Sequence, residues 1–163
     1  MKKIVIINGT GGCGKDTFID LCSKYISVYN FSSIDAIKEI AKSIGWTGAK
    51  TDRDRKFLSD LKKLTTDYND FAFKNIQKAI DTFNNSNYNL MFIHIREPEE
   101  IKKIVSNYQV TTLLIKRENQ EMIKTNSSDA LVENYNYDYI IINTTLEEYE
   151  NKAIKFIEDL FHE

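Results

Sequence analysis

The chain has 163 residues, 42% hydrophobic and 28% charged, with a net charge of −2, which is the length and balance of one globular domain. So small a charge excludes a basic footprint for nucleic acid or for an anionic membrane surface, and no apolar run approaches the ~20 residues needed to cross a bilayer. Two cysteines, Cys13 and Cys22, are too few for a disulfide framework, so a reducing, cytoplasmic setting is expected.

Met1-Lys2-Lys3 has the charge of a signal n-region, but the apolar stretch behind it is too short for one. Ile4-Val5-Ile6-Ile7 is a β-branched run ended by Asn8-Gly9 and reads as a strand buried on both faces. Phe18, Ile19, Leu21, Cys22, Tyr25 and Ile26 recur at helical spacing, which predicts a first helix to about Val28. A short second strand is expected over Asn30–Ile34, then a helix from Asp35 ended by Gly45. Trp46 to Asp54 reads as a polar surface loop, and Arg55 to about Phe83 as a long helical pattern. That pattern exceeds the usual helix length, so a break is expected near Tyr68-Asn69-Asp70. Leu90–Ile95 reads as a third strand, followed by Pro98 in the first turn of a helix. Val110–Ile115 and Tyr139–Ile142 complete five strands, and Leu146–Phe161 forms the last helix. Strands alternating with helices predict right-handed βαβ units in a parallel sheet, with ligands at the carboxyl ends of the strands.

The stretch Gly9-Thr10-Gly11-Gly12-Cys13-Gly14-Lys15-Asp16-Thr17 fits G-x-x-x-x-G-K between a strand and a helix. Glycines permit the positive φ angles that turn successive backbone N–H groups toward phosphate oxygens, the following helix adds its partial positive end, and Lys15 supplies a point charge. ATP with Mg²⁺ is therefore the expected ligand. Asp16 stands where a Ser or Thr ordinarily binds the metal, so its carboxylate is the metal candidate, acting directly or through water. Thr17 offers a hydroxyl one place later.

Gly14-Lys15-Asp16-Thr17 resembles the G-K-D-T of the deoxynucleoside monophosphate kinases and their P-loop relatives, which include animal phosphomevalonate kinases. In the same order, Phe31–Glu39 resembles that family's F-A-D-x-L-K-E segment, and His94–Pro98 with Glu99-Glu100 its D-V-R-F-P-x-E segment. Tyr137–Asn143 with Thr145–Glu148 resembles its Y-D-x-x-I-x-N-x-G-T-L-E-E ending. The resemblance implies a single P-loop domain over residues 1–163, with about five parallel strands flanked by helices and a lid around 117–130.

The resemblance also implies roles for particular side chains. Asp35 would position or deprotonate the acceptor, although an Asp after a strand also serves as a helix N-cap. Arg96 would contact the acceptor or its phosphate, with a salt bridge to Glu99 or Glu100 as the plainer alternative. Arg117 would come from the lid to stabilise charge on the phosphoryl group, or would lie in an exposed charged loop. Arg53 and Arg55 would clamp an acceptor phosphate or remain solvated beside Asp52 and Asp54. Asn143-Thr144-Thr145 would approach the adenine. His94 stands where these kinases usually carry an aspartate, and a lone His on an apolar strand is more often a core residue than a ligand. Tyr135, Tyr137 and Tyr139 read as packing residues.

Two functions follow. One is phosphoryl transfer from ATP to a small-molecule acceptor that already carries a phosphate, a nucleoside or deoxynucleoside monophosphate or a non-nucleotide, by a monomer or homodimer. The other is ATP binding without transfer, which His94 and Asp16 favour. A GTPase is disfavoured because Asn143 is not followed by the K-x-D of a guanine motif.

Overall fold

Val5, Ile6 and Ile7 have no polar face to offer water, and all three are completely buried at the centre of the molecule. The computed structural model describes residues 1–118 and 131–162. In chain order the elements are β1 (Lys3–Asn8), α1 (Lys15–Ser23), β2 (Val28–Ser32), α2 (Asp35–Ser43), α3 (Asp52–Asn69), α4 (Phe71–Asn84), β3 (Leu90–His94), α5 (Pro98–Asn107), β4 (Thr111–Arg117), β5 (Tyr139–Asn143) and α6 (Leu146–His162). The strands form one sheet in the order β2-β3-β1-β4-β5, and every pairing is parallel. No described helix is long and apolar enough to cross a membrane.

Because side chains alternate along a strand, the sheet feeds two cores. Val5, Ile7, Leu90, Phe92, Leu113 and Ile115 pack against α1 and α6. Phe18 of α1 is the hub there, with its ring centroid 6.3 Å from Phe92, 5.4 Å from Tyr149 and 5.7 Å from Phe156. Truncating so enclosed a ring to alanine costs about 3–5 kcal/mol. Ile6, Met91, Ile93 and Leu114 face the other way, onto Ile76, Ile80 and Phe83 of α4 and Ile101 and Ile104 of α5.

Several expected boundaries move. The first helix stops at Ser23 rather than near Val28, and the chain turns through Tyr25 N–H and Ile26 N–H, both donating to the Cys22 carbonyl. Ile26 packs on the core from that turn, so helical apolar spacing continues past the helix. Val28 then pairs with Leu90, which starts β2 two residues earlier than expected. Residues 52–54 are helical rather than loop. Thr51 accepts from the Asp54 N–H while Asp54 Oδ2 accepts from the Thr51 N–H at 3.2 Å, a capping box that begins α3 at Asp52. The expected break in the long pattern falls at Asp70, whose φ of 58° ends α3 and starts α4. β4 runs on to Arg117 because Arg117 pairs with Asn143 at the end of β5.

Candidate nucleotide site

β1 ends at the crossing of three connections, and its last residue shows how the loop after it is set. Asn8 is fully buried. Its Oδ1 accepts from the Gly9 N–H at 2.8 Å, and its Nδ2 donates to the Arg96 carbonyl at 3.2 Å and to Tyr137 Oη at 2.8 Å. Tyr137 in turn donates to the Val132 carbonyl at 2.6 Å. One buried amide thus ties the start of the glycine loop to the loop after β3, at the carboxyl edge of the sheet, and to the Tyr137 hydroxyl from the segment before β5.

The glycine loop is held from outside by its carbonyls. Arg117 Nη1 donates to Gly12 O at 3.3 Å, Asn143 Nδ2 to Cys13 O at 3.2 Å, and Tyr149 Oη to Gly14 O at 2.7 Å. A trans peptide sets each N–H opposite the preceding carbonyl. Anchoring the carbonyls of Cys13 and Gly14 therefore turns the Gly14 and Lys15 amides to the other side of the loop. Gly14 reaches φ 102° to do this, and a Cβ there would collide with the Asn143 side-chain nitrogen. α1 begins directly after it with no side-chain cap among the described residues, leaving its positive end available to an anion.

Lys15 Nζ donates to Gly9 O at 2.7 Å and to Thr10 O at 3.3 Å, and Cys13 N–H donates to Thr10 O at 3.2 Å. Cys13 is buried with its thiol pushed up by that burial, against the pull of Lys15, and is therefore a small packed residue and not a nucleophile. Beside the loop lies a cleft of about 480 Å³, lined among others by Gly12, Lys15, Asp16, Thr17, Asn143 and Leu146. Asp16 and Thr17 are exposed on its floor, in the first turn of α1. Gly11 is open on its Cβ side. Inward amides, an uncapped helix start, Lys15 and Arg117 fit a polyphosphate. Asp16 fits a Mg²⁺ that keeps waters and takes its other ligands from phosphate oxygens.

The acceptor-side candidates are spread around the adjoining strand ends. Asp35 is the first residue of α2, exposed, and the N-cap position belongs to Ile34, so the cap alternative for Asp35 is excluded. Arg96 follows β3, half-buried, with its carbonyl on Asn8. Glu99 and Glu100, weighed as its partners, pair with Lys102 at 3.0 Å and Lys62 at 2.7 Å. Arg53 is exposed in the first turn of α3, and Arg55 makes only a loose 3.9 Å pair with Asp52. Arg117 lies on a strand end rather than in a lid, and residues 119–130 of the expected lid lie outside the described residues. Asn143 lines the cleft but commits its amide to the loop rather than to a base.

A buried ionic cluster that the apolar sequence pattern does not signal lies beside these candidates. Lys62 of α3 donates to Ser33 Oγ at 3.0 Å and Glu97 Oε2 at 2.9 Å, and pairs with Glu100 Oε2. Burial works against both carboxylates. Lys62 outweighs it at Glu97, which is held well below the usual range, but not at Glu100, which burial and the neighbouring Glu97 leave raised. The cluster joins α3 to Ser33, two residues before Asp35, and to Glu97, next to Arg96. A Lys one position after Leu61 in an amphipathic helix was the available cue.

No protein-family model matches the chain, and no curated protein matches its sequence. Solved structures do resemble it in fold. Protein TT1252 from Thermus thermophilus superposes with a TM-score of 0.60 at 15% identity, over 98% of each chain. A sugar kinase from Janibacter sp. HTCC2649 superposes with a TM-score of 0.55 at 14% identity, over 99% of this chain and 96% of that one. With the parallel β2-β3-β1-β4-β5 sheet and its glycine loop after β1, these likenesses give the chain a single-domain P-loop kinase fold.

Proposed function

We propose that this protein transfers the γ-phosphoryl group of ATP to a small phosphorylated acceptor, with a nucleoside or deoxynucleoside monophosphate as the first choice, giving ADP and a diphosphate. The observation that carries the reading is the set of long-range bonds from Arg117, Asn143 and Tyr149 that hold the glycine-loop carbonyls outward. A conformation braced from three elements is preorganised for anion binding and has no packing return of its own.

Within this reading Lys15 leaves the Gly9 and Thr10 carbonyls to meet the β/γ-phosphates, and the loop amides fix the phosphate chain. Arg117 stands over the loop, where charge spreads on the transferred group. Asp35 orients the acceptor, with Arg96, Arg53 and Arg55 as the cations for its phosphate. Bound Mg²⁺, held through Asp16, would neutralise phosphate charge. The protein would act as a cytoplasmic monomer or homodimer without nucleic-acid or membrane partners.

One observation favours a second reading, ATP binding without transfer: the strand-end position of the resembled carboxylate carries the neutral ring of His94. A coupled assay of ADP release from Mg·ATP, with each common ribo- and deoxynucleoside monophosphate offered in turn, separates the two. Turnover that needs one acceptor supports transfer. Flat traces with ATP bound would remove the nucleotide acceptor and leave a non-nucleotide acceptor or a binding protein.

A further inference from the structure

α3 is 18 residues long, and Lys62 is the one side chain on it that is buried. Phe57, Leu58 and Leu61 are half-buried, while Leu64 and Tyr68 are exposed. Such partial apolar cover holds a helix against its neighbours but sets its rotation only loosely. Lys62 sets it by charge instead, gripping Ser33 Oγ at 3.0 Å, Glu97 Oε2 at 2.9 Å and Glu100 Oε2 at 2.7 Å. Burial pulls the pKa of Lys62 down, but Glu100 and Glu97 outweigh burial and hold it raised, so the ammonium stays charged.

A second ionic contact gives α3 a direction. Asp70, the joint between α3 and α4, pairs with Lys103 of α5. From Lys62 to Asp70 the partners therefore pass from Glu97 and Glu100, at the start of α5, to Lys103 in its second turn. α5 starts just after β3, at the carboxyl edge of the sheet. The part of α3 before Lys62 thus projects past that edge, on the side where the glycine loop follows β1.

Helix geometry sorts the two arginines on that projecting part. Arg55 precedes Lys62 by almost two full turns, so it lies on the same face, about 10 Å further out. Arg53 precedes Lys62 by two and a half turns and lies on the opposite face. Burial agrees: Arg55 is half-buried beside a loose 3.9 Å pair with Asp52, and Arg53 is exposed.

The cluster is poorly suited to stability alone. Glu100 Oε1 is buried with no hydrogen-bond partner among the described residues. Replacing a whole buried ion cluster by apolar side chains often stabilises a fold, and the best-attested use of such clusters is to fix register.

We propose that Lys62 is a positioning residue of the acceptor site: its bonds to Ser33, Glu97 and Glu100 fix the rotation and height of α3, so that Arg55 rather than Arg53 is the α3 cation that meets the acceptor phosphate. The inference rests on the phosphorylated acceptor of the function proposed above, and narrows its cation set.

The test saturates full-length protein with Mg²⁺ and β,γ-methylene-ATP, which fills the glycine loop. Inorganic phosphate, the group common to phosphorylated acceptors, is then titrated and read by ³¹P line broadening. Arg55→Ala should weaken phosphate binding about tenfold more than Arg53→Ala, the worth of a charge-assisted hydrogen bond. In a Lys62→Met background that difference should vanish, which a merely structural lysine would not cause. If Lys62→Met does not fold, the same comparison is made in Lys62→Met/Glu97→Gln/Glu100→Gln, which leaves no buried carboxylate stranded. Equal losses in the two arginine variants, or a difference that persists in the folded Lys62 variant, would overturn the positioning role and leave the acceptor reading standing. No phosphate binding by the nucleotide-loaded unsubstituted protein would overturn both.

Discussion

Tyr149 of α6 donates its hydroxyl hydrogen to the carbonyl of Gly14 at 2.7 Å, joining the last helix to the glycine loop. The ring is almost fully buried against Phe18, so the hydroxyl is delivered from a rigid platform. Burial pushes its pKa up, which keeps it a donor at neutral pH. Tyr149→Phe should keep the fold and weaken ATP binding by about 0.5–1.5 kcal/mol, the worth of one hydrogen bond. Calorimetric titration with ATP checks this, and unchanged affinity would show that the Gly14 carbonyl needs no brace.

Gly14→Ala should do far more. A side chain at φ 102° is strained by about 1–2 kcal/mol, and its Cβ would displace Asn143 from the Cys13 carbonyl. We expect no measurable ATP binding and a lowered melting temperature. Asn143→Ala in the Gly14→Ala background separates the two effects, since it removes the collision but not the backbone strain.

Much of this was legible in the sequence because it is local. The buried β1 run, the glycine spacing and the apolar stripe of α1 each lie within a few residues, as do the break at Asp70 and Pro98 in the first turn of α5. The end of α1 departs from the apolar spacing because Ile26 packs inward from a turn, imitating the next helical position. The start of α3 lies earlier than the apolar pattern indicates because the polar Thr51–Asp54 capping box opens it. Asn8, Tyr149 and Lys62 were invisible for a different reason: their partners, Tyr137, Gly14 and Glu97, are distant in sequence and adjacent only after the sheet forms.

The Lys62 cluster predicts a pH dependence of stability. Glu100, raised to about 7, binds its proton more tightly folded than unfolded, so it withdraws stability as pH rises from its unfolded value near 4.5 to about 7. Glu97, held low, contributes stability above about 4.5 and loses it as pH falls. Glu100→Gln should therefore raise stability at pH 8 by about 1–3 kcal/mol while leaving pH 5 nearly unchanged. Lys62→Met should destabilise at neutral pH by about 3–5 kcal/mol, because it strands buried carboxylates. Urea unfolding at both pH values checks each variant.

Arg96→Ala should abolish turnover while leaving ATP binding largely intact, Arg117→Ala should abolish turnover and also weaken ATP binding because it releases the Gly12 carbonyl, and full turnover in both variants would remove them from the site. Lys15→Ala should remove ATP binding and activity together, since it supplies the loop's own charge. Parallel steady-state kinetics and ATP titrations of the three variants make the distinction.

Transfer itself is tested most directly by following γ-³²P from ATP in the presence of the acceptor that supports ADP release. Label recovered in a diphosphate, and lost in Arg96→Ala, is the predicted result. Label that stays in ATP or appears only as inorganic phosphate, with the acceptor unchanged, would contradict the account.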